Sequence, residues 1–303
     1  MTSRSPGVRD QKKAYLYALV AIFFWATIPS AFKLGLRATS PATLLFWANA
    51  TSLAAFLAVI VITGRTKLLL LQSSGELLHS ALLGILSPFG YYLILFEAYS
   101  RLPGQIAQPL NMIWPLVLVY LSAVMLGQKI SGKSYLALLI SFTGIFFVSS
   151  RGDLLGFGHT DITGVVLAAG SSVIWAFFWI LHMKDTRQEV IALFTNFFFA
   201  FLYITLFLAF TDNSFVPPPA AVAAGIYAGL FEMGFTFLIW LKALQLAKNT
   251  ATISNLVYLA PFLSLFFIHQ LVGEKIYPTT VIGLILIIGG IFVQNYFVKK
   301  TLS

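Results

Sequence analysis

The chain has 303 residues, 59% of them hydrophobic and only 10% charged, with a mean hydropathy of +0.89. A soluble domain carries roughly 25% charged residues, so a water-soluble globular protein is excluded, and continuous apolar runs without alternation exclude an outer-membrane barrel. The absence of cysteine removes disulfides, thiolate metal sites and Cys nucleophiles.

Apolar runs of about 20 residues, each enough to cross a ~30 Å hydrocarbon core, predict an all-α integral membrane protein. Its ten transmembrane helices fall at 13–33, 41–63, 75–99, 103–126, 131–150, 161–183, 188–211, 218–246, 249–272 and 277–298. The first run has basic flanks, yet it exceeds a signal-peptide core and lacks a small-residue cleavage site, so it is expected to stay as a span. It presents Trp25 and Pro29. The third span places Ser80, Gly84, Ser87 and Tyr91 on one helical face, with Pro88 beside them and His79 near one end as a gate or proton-site candidate. The fourth carries Gln105, Gln108, Asn111, Trp114 and Pro115. The sixth presents Ser171, Trp175 and Trp179, and the eighth Gly225, Gly229, Glu232 and Thr236. The ninth adds Ser254, Asn255, Tyr258 and Pro261. The small residues suit either close helix packing or a polar pathway. The mid-span tryptophans suit either lipid contact or a cavity wall. Glu232 is sharper: an acid about 14 residues inside an apolar span costs roughly 2.5–3.5 kcal/mol at the bilayer centre, so it should face a wet path or a polar partner.

Residues 109–130 (PLNMIWPLVLVYLSAVMLGQKI) and 255–276 (NLVYLAPFLSLFFIHQLVGEKI) repeat one pattern. Pro115 aligns with Pro261, Gly127-Gln128-Lys129-Ile130 with Gly273-Glu274-Lys275-Ile276, and Gly144 with Gly290; Trp25-Ala26 answers Trp175-Ala176. Two five-helix halves follow, 13–150 and 161–298, joined by a linker at 151–160 and flanked by tails at 1–12 and 299–303. Five being odd, the second half enters the membrane inverted, the arrangement of carriers that bind substrate near the midplane. Matched prolines at 115 and 261, with Pro29 and Pro88, are kink candidates. They serve either as hinges for alternating access around a central cavity or as static bends. Gly283 and Gly290, matching Ala137 and Gly144, read as a packing seam.

With the N-terminus assigned to the cytoplasm, the 19 basic residues sort by side. Inside lie Arg4, Arg9, Lys12, Lys13, Arg65, Lys67, Lys129, Lys133, Lys184, Arg187, Lys242, Lys248, Lys299 and Lys300; outside lie Lys33, Arg37, Arg101, Arg151 and Lys275. That bias places both termini in the cytoplasm. It also accounts for the net charge of +9 as topology, so no nucleic acid is expected as a partner.

The stretches GQKISGKSYLALLISFTGIF and GEKIYPTTVIGLILIIGGIF resemble the closing motif of each EamA-type half in the drug/metabolite transporter superfamily. The run Asn111-x-x-Trp114-Pro115, followed by Gly127-Gln128-Lys129, is similar to the YddG-like amino acid exporters. The resemblance implies a carrier that exports amino acids, aromatic and other neutral ones, across a bacterial inner membrane. It takes a small molecule as substrate and lipid as surroundings, and a monomer is expected. A proton-coupled antiporter of lipophilic cations is the alternative. The small multidrug pumps of that superfamily use a first-helix Glu, and spans 1 and 6 here hold no Glu or Asp.

The expected pathway is Trp25, Ser87, Tyr91, Gln108, Asn111, Trp114, Ser171, Trp175, Glu232, Thr236 and Tyr258, a polar and aromatic set with one carboxylate. Its hinges and gates are Pro29, Pro88, Pro115, Pro261 and His79. No Lys or Arg falls mid-span to meet a phosphate. An intramembrane enzyme finds no constellation. Gly170-Ser171-Ser172 lacks a second Gly, His269 precedes Gln270 rather than Glu, and every Asp lies in a loop or at a helix end. No P-loop is present, so neither nucleotide nor other cofactor is expected, and His79, His159, His182 and His269 offer no metal set.

Overall fold

The computed structural model describes residues 10–126, 134–150, 152, 160–247, 253 and 256–302. Among these it is helical, with no strand. The longer helices, in chain order, are α1 (Gln11–Leu36), α2 (Pro41–Ile62), α3 (Ser74–Arg101), α4 (Gly104–Asn111 and Trp114–Leu126), α5 (Ser134–Ser149), α6 (Ile162–His182), α7 (Glu189–Ala209), α8 (Pro219–Leu246), α9 (Leu256–Val272) and α10 (Pro278–Leu302), with a single turn at Lys67–Leu70 between α2 and α3. Six of them, α1, α2, α3, α6, α7 and α8, are long and apolar enough to cross a membrane. Lys129, Lys248, Ser254 and Asn255 lie outside the described residues.

Local chemistry explains the helix starts. Asp10 accepts from Lys13 N, Ser40 from Thr43 N with Pro41 at the first helical position, and Asp161 from Gly164 N. Ser73 and Glu76 form a reciprocal capping box at α3, each arrangement satisfying amides that have no partner within the helix. Large apolar side chains such as Leu16, Leu19, Phe23, Phe266 and Ile285 are exposed around the outside, which is stable only against hydrocarbon.

Three of these helices change register. α3 passes through a π-helical segment at Ile85–Gly90, with Ser87 extended (φ −153°, ψ 130°) and the Ser87–Pro88 peptide cis. α8 does the same at Gly229–Gly234, and α9 ends in a π segment at Ile268–Val272. A π turn adds a residue and rotates every side chain beyond it. α4 breaks at Met112–Ile113, so Pro115, expected mid-helix, is the second residue of a new helical piece. Pro261 is the third residue of Leu259–Phe267, after a 3₁₀ turn at Leu256–Tyr258. In a first turn the missing proline N–H has no intrahelical partner to lose. Both prolines therefore mark helix restarts.

Packing runs between helices of residues 10–150 and those of residues 160–302. α1 packs against α8 and α9, while α6 packs against α3 and α4; α2 packs on α7 and α8, and α7 on α2 and α3. α5 lies along α10 through backbone approaches, and a Cβ added to Gly283 would stand 2.5 Å from the Gly144 carbonyl oxygen. The small face of α3 and α8 is a packing seam: Gly84 abuts Asn196 and Ala200 of α7, and Gly225 and Gly229 abut Trp47 and Ala48 of α2.

Candidate substrate cavity

Between α1, α3, α4, α6, α8 and α9 lies a cavity of about 590 Å³, inside the ~300–1,000 Å³ range usual for small-molecule sites. Its blind end is formed by Phe32, Leu95 and Tyr99, all buried. Its rim, where α6 gives way to α7, carries His182, Met183, Asp185 and Glu189, with Met183 exposed.

One wall is aromatic. Tyr91 stacks on Trp175 with ring centroids 4.5 Å apart, and Trp175 stacks on Phe178 at 5.6 Å. Trp25 lies 5.3 Å from Trp240, and Phe237 stands edge-on or tilted to Trp25, Trp175 and Trp179 at 6.1–6.4 Å. Such ring faces carry negative quadrupole density and attract both rings and cations.

The polar groups are few. Glu232 sits in the π segment of α8 and lines the cavity, its Oε1 accepting from the Tyr92 hydroxyl at 3.2 Å. Across from it, Tyr91 donates to Asn111 Oδ1 at 3.1 Å, and Asn111 Nδ2 donates to Ser171 Oγ at 2.8 Å. Gln108 Oε1 accepts from Ser264 Oγ. The Trp179 indole nitrogen is buried without a hydrogen-bond partner among the described residues. At the rim, His182 Nε2 lies 2.9 Å from Glu189 Oε1. Asp185 is clamped there by Arg187, whose Nη2 lies 2.5 Å from Asp185 Oδ2 and also donates to Ser80, while its Nη1 donates to Gln72. Burial pushes the Asp185 carboxyl up, but its hydrogen bonds to Arg187 outweigh this and hold it below the usual carboxylate value. Among the described residues no Lys or Arg lines the cavity.

Of the residues singled out in the sequence, Trp25, Pro29, Tyr91, Gln108, Asn111, Trp114, Trp175, Glu232 and Tyr258 line this cavity. Ser171 stands one layer behind, bonded to Asn111. Ser87, Pro88, Thr236 and Pro261 are buried outside the lining, and Pro115 is also outside it. Ser87 and Glu232 are paired in the repeat expected from sequence, yet only Glu232 lines the cavity; Ser87 has extended backbone inside its π segment. His79 is half-buried off the cavity, its Nε2 without a partner among the described residues. The lining also includes Tyr99, Phe237, Trp240 and Asp185. Their signal in sequence is weak, since aromatic residues are common in apolar spans and Asp185 reads as an ordinary loop acid.

Apolar helices around a solvent-reaching central cavity define a multi-pass membrane transport protein. The chain belongs to the EamA-like transporter family, which matches residues 12–150 and again 162–296; it is a family of transporters, not enzymes. An "Uncharacterized transporter" of Archaeoglobus fulgidus is 26% identical over 288 residues, covering 93% of this chain and 97% of that one. The "Aromatic amino acid exporter YddG" of Ancylobacter novellus is 24% identical over 223 residues, covering 72% of this chain and 76% of that one. A solved crystal structure superposes with a TM-score of 0.66 at 23% identity, covering 97% of this chain and all of that one, a likeness of fold.

Proposed function

We propose that this chain is a secondary carrier exporting small amines with apolar or aromatic side chains, neutral amino acids foremost, by alternating access. The observation that carries the reading is Glu232, a carboxylate set against an aromatic wall in a cavity whose described lining has no Lys or Arg. Glu232 attracts the ammonium group, and Trp25, Trp175 and Phe237 take the side chain. Asn111, Gln108 and the Trp179 N–H, which has no partner among the described residues, are the polar groups nearest to hand for a neutral or carboxylate end. The name of the Ancylobacter relative supports amino acids and the outward direction.

The architecture in this proposal is ten helices in two inverted repeats, 13–150 and 161–298, with both termini cytoplasmic in a bacterial plasma membrane. The double family match, the packing between helices of these two stretches and the charge bias support it. The rim at Met183 and Glu189 then faces the cytoplasm, and the structure is an inward-open state. The helix restarts at Pro115 and Pro261 are its hinges.

The test is uptake by proteoliposomes, with and without a proton gradient, of radiolabelled phenylalanine, threonine and a quaternary ammonium dye. Phenylalanine uptake lost in Trp175→Ala supports the proposal. Uptake of the dye alone, and only under a gradient, favours the second reading, a cation antiporter, which the absence of Lys and Arg from the described lining also fits.

A further inference from the structure

At the blind end of the cavity, α4 begins on Pro103, which offers no side-chain cap. Its first amides are satisfied instead from a segment 170 residues away. Gly104 N donates to Glu274 Oε1 at 2.8 Å and Gln105 N to Glu274 Oε2 at 3.2 Å. Gln105 then returns the grip: its Nε2 donates to Lys275 O at 2.6 Å, while its Oε1 accepts from Tyr277 N at 3.2 Å and Thr280 Oγ1 at 3.1 Å. Gly273, at φ +79°, ends α9 in the left-handed region and turns Glu274 back toward α4. From α1, Arg37 donates to Val272 O at 2.7 Å, and Lys33 donates to Tyr99 O at 2.8 Å and Leu102 O at 2.9 Å, tying off the end of α3. The ends of α1, α3, α4, α9 and α10 are thus tied by polar contacts around this end of the cavity, and a carboxylate on helix amides makes strong, charge-assisted bonds.

The sequence does not write the same latch at the other end. At the repeat offset that pairs Pro115 with Pro261, Glu274 corresponds to Gln128 and Gln105 to Ala251; at the offset that pairs Trp25 with Trp175, Lys33 corresponds to Met183. In the sequence, carboxylate, amide and ammonium at the first set of positions are matched by amide, methyl and thioether at the second. We infer that Glu274 and Gln105 are the gate residues that hold the blind end shut, that the bonds they make between the start of α4 and residues 274–280 break in each transport cycle, and that their one-sidedness biases the resting carrier toward the state seen here. This rests on the transporter reading of the same cavity. The residues are positioning residues, acting through the helix ends.

The absence of cysteine makes the test direct. A single cysteine replacing Leu95, on the cavity wall near the blind end, is labelled with a membrane-impermeant maleimide from either face of sealed vesicles. In Glu274→Ala and Gln105→Ala the rate from the latch side rises about tenfold and the rate from the rim side falls, as a population shift requires; Glu274→Asp restores part of the original ratio. Gln128→Glu, which puts a carboxylate at the matching repeat position, moves the ratio the opposite way. Unchanged ratios in folded Gln105→Ala and Gln128→Glu overturn the inference. Should Glu274→Ala not fold, those two variants decide alone. A shift seen from the cytoplasmic face keeps the gate and overturns the orientation. A shift in a protein that moves none of the offered substrates keeps the gate and overturns the substrate reading.

Discussion

Glu232 and Tyr92 are 140 positions apart and share a hydrogen bond across the cavity wall. The acid is visible in the sequence, because a lone carboxylate deep in an apolar span needs a reason. Tyr92 is not, since a tyrosine among Tyr, Leu and Ile passes for filler until the fold brings α3 to α8. Glu232→Gln is expected to lower transport kcat/KM for amine substrates by about 10–100-fold, as a charge-assisted contact of ~1.5–3 kcal/mol is lost. Tyr92→Phe, which leaves the carboxylate in place, should cost no more than about tenfold. Transport assays on both variants check this order, and equal losses contradict it. At the rim, Asp185 and Arg187 make the second residue-scale case. Arg187→Gln leaves a largely buried carboxylate short of its donors, which costs roughly 1–3 kcal/mol, read as a lower melting temperature in detergent at pH 7. Because Asp185 titrates below its ordinary value of 3.8, its contribution is full above that pH and lost as pH falls through the folded value. The gap between wild type and variant should therefore close below about pH 4.

At the scale of the helix, regular periodicity carried the reading as far as the π segments and no further. Ser80, Gly84, Ser87 and Tyr91 share a face on a 3.6-residue repeat, but Ile85–Gly90 changes the register, so Gly84 packs on α7 while Tyr91 lines the cavity. No residue between 85 and 90 announces the extra turn; a proline there is equally compatible with a simple kink. The prolines at 115 and 261 were visible, but their place in a first turn depends on helix breaks that sequence spacing does not reveal. The α5–α10 seam was legible because a membrane offers few uses for glycines spaced by seven other than close backbone approach. Gly283→Val should push the seam apart at a cost of about 1–3 kcal/mol or more, measured as a fall in melting temperature. Val at Gly170, where a Cβ meets nothing within 4 Å, should change it little. Similar losses at both positions contradict the seam.

For the whole molecule, composition and charge carried the class, and the cavity carries the proposal. A protein this poor in charge has to be solvated by lipid, and the exposed Leu, Phe and Ile side chains of the folded chain agree. The packing of α1 on α8 and α9, and of α6 on α3 and α4, is compatible with the repeat proposed from two similar stretches, whereas the turn at Glu274 was hidden. In sequence Glu274 reads as part of a repeated motif, and only the fold carries it to the start of α4. The central claim is recognition of an ammonium group by Glu232 against an aromatic wall. It is tested most directly by counterflow in proteoliposomes with phenylalanine, phenethylamine and phenylpropionate, which share a ring and differ in charged end. The account predicts that the zwitterion and the cation exchange and the anion does not, with Glu232→Gln erasing the difference. Exchange of phenylpropionate at the rate of phenylalanine, unaffected by Glu232→Gln, would contradict it.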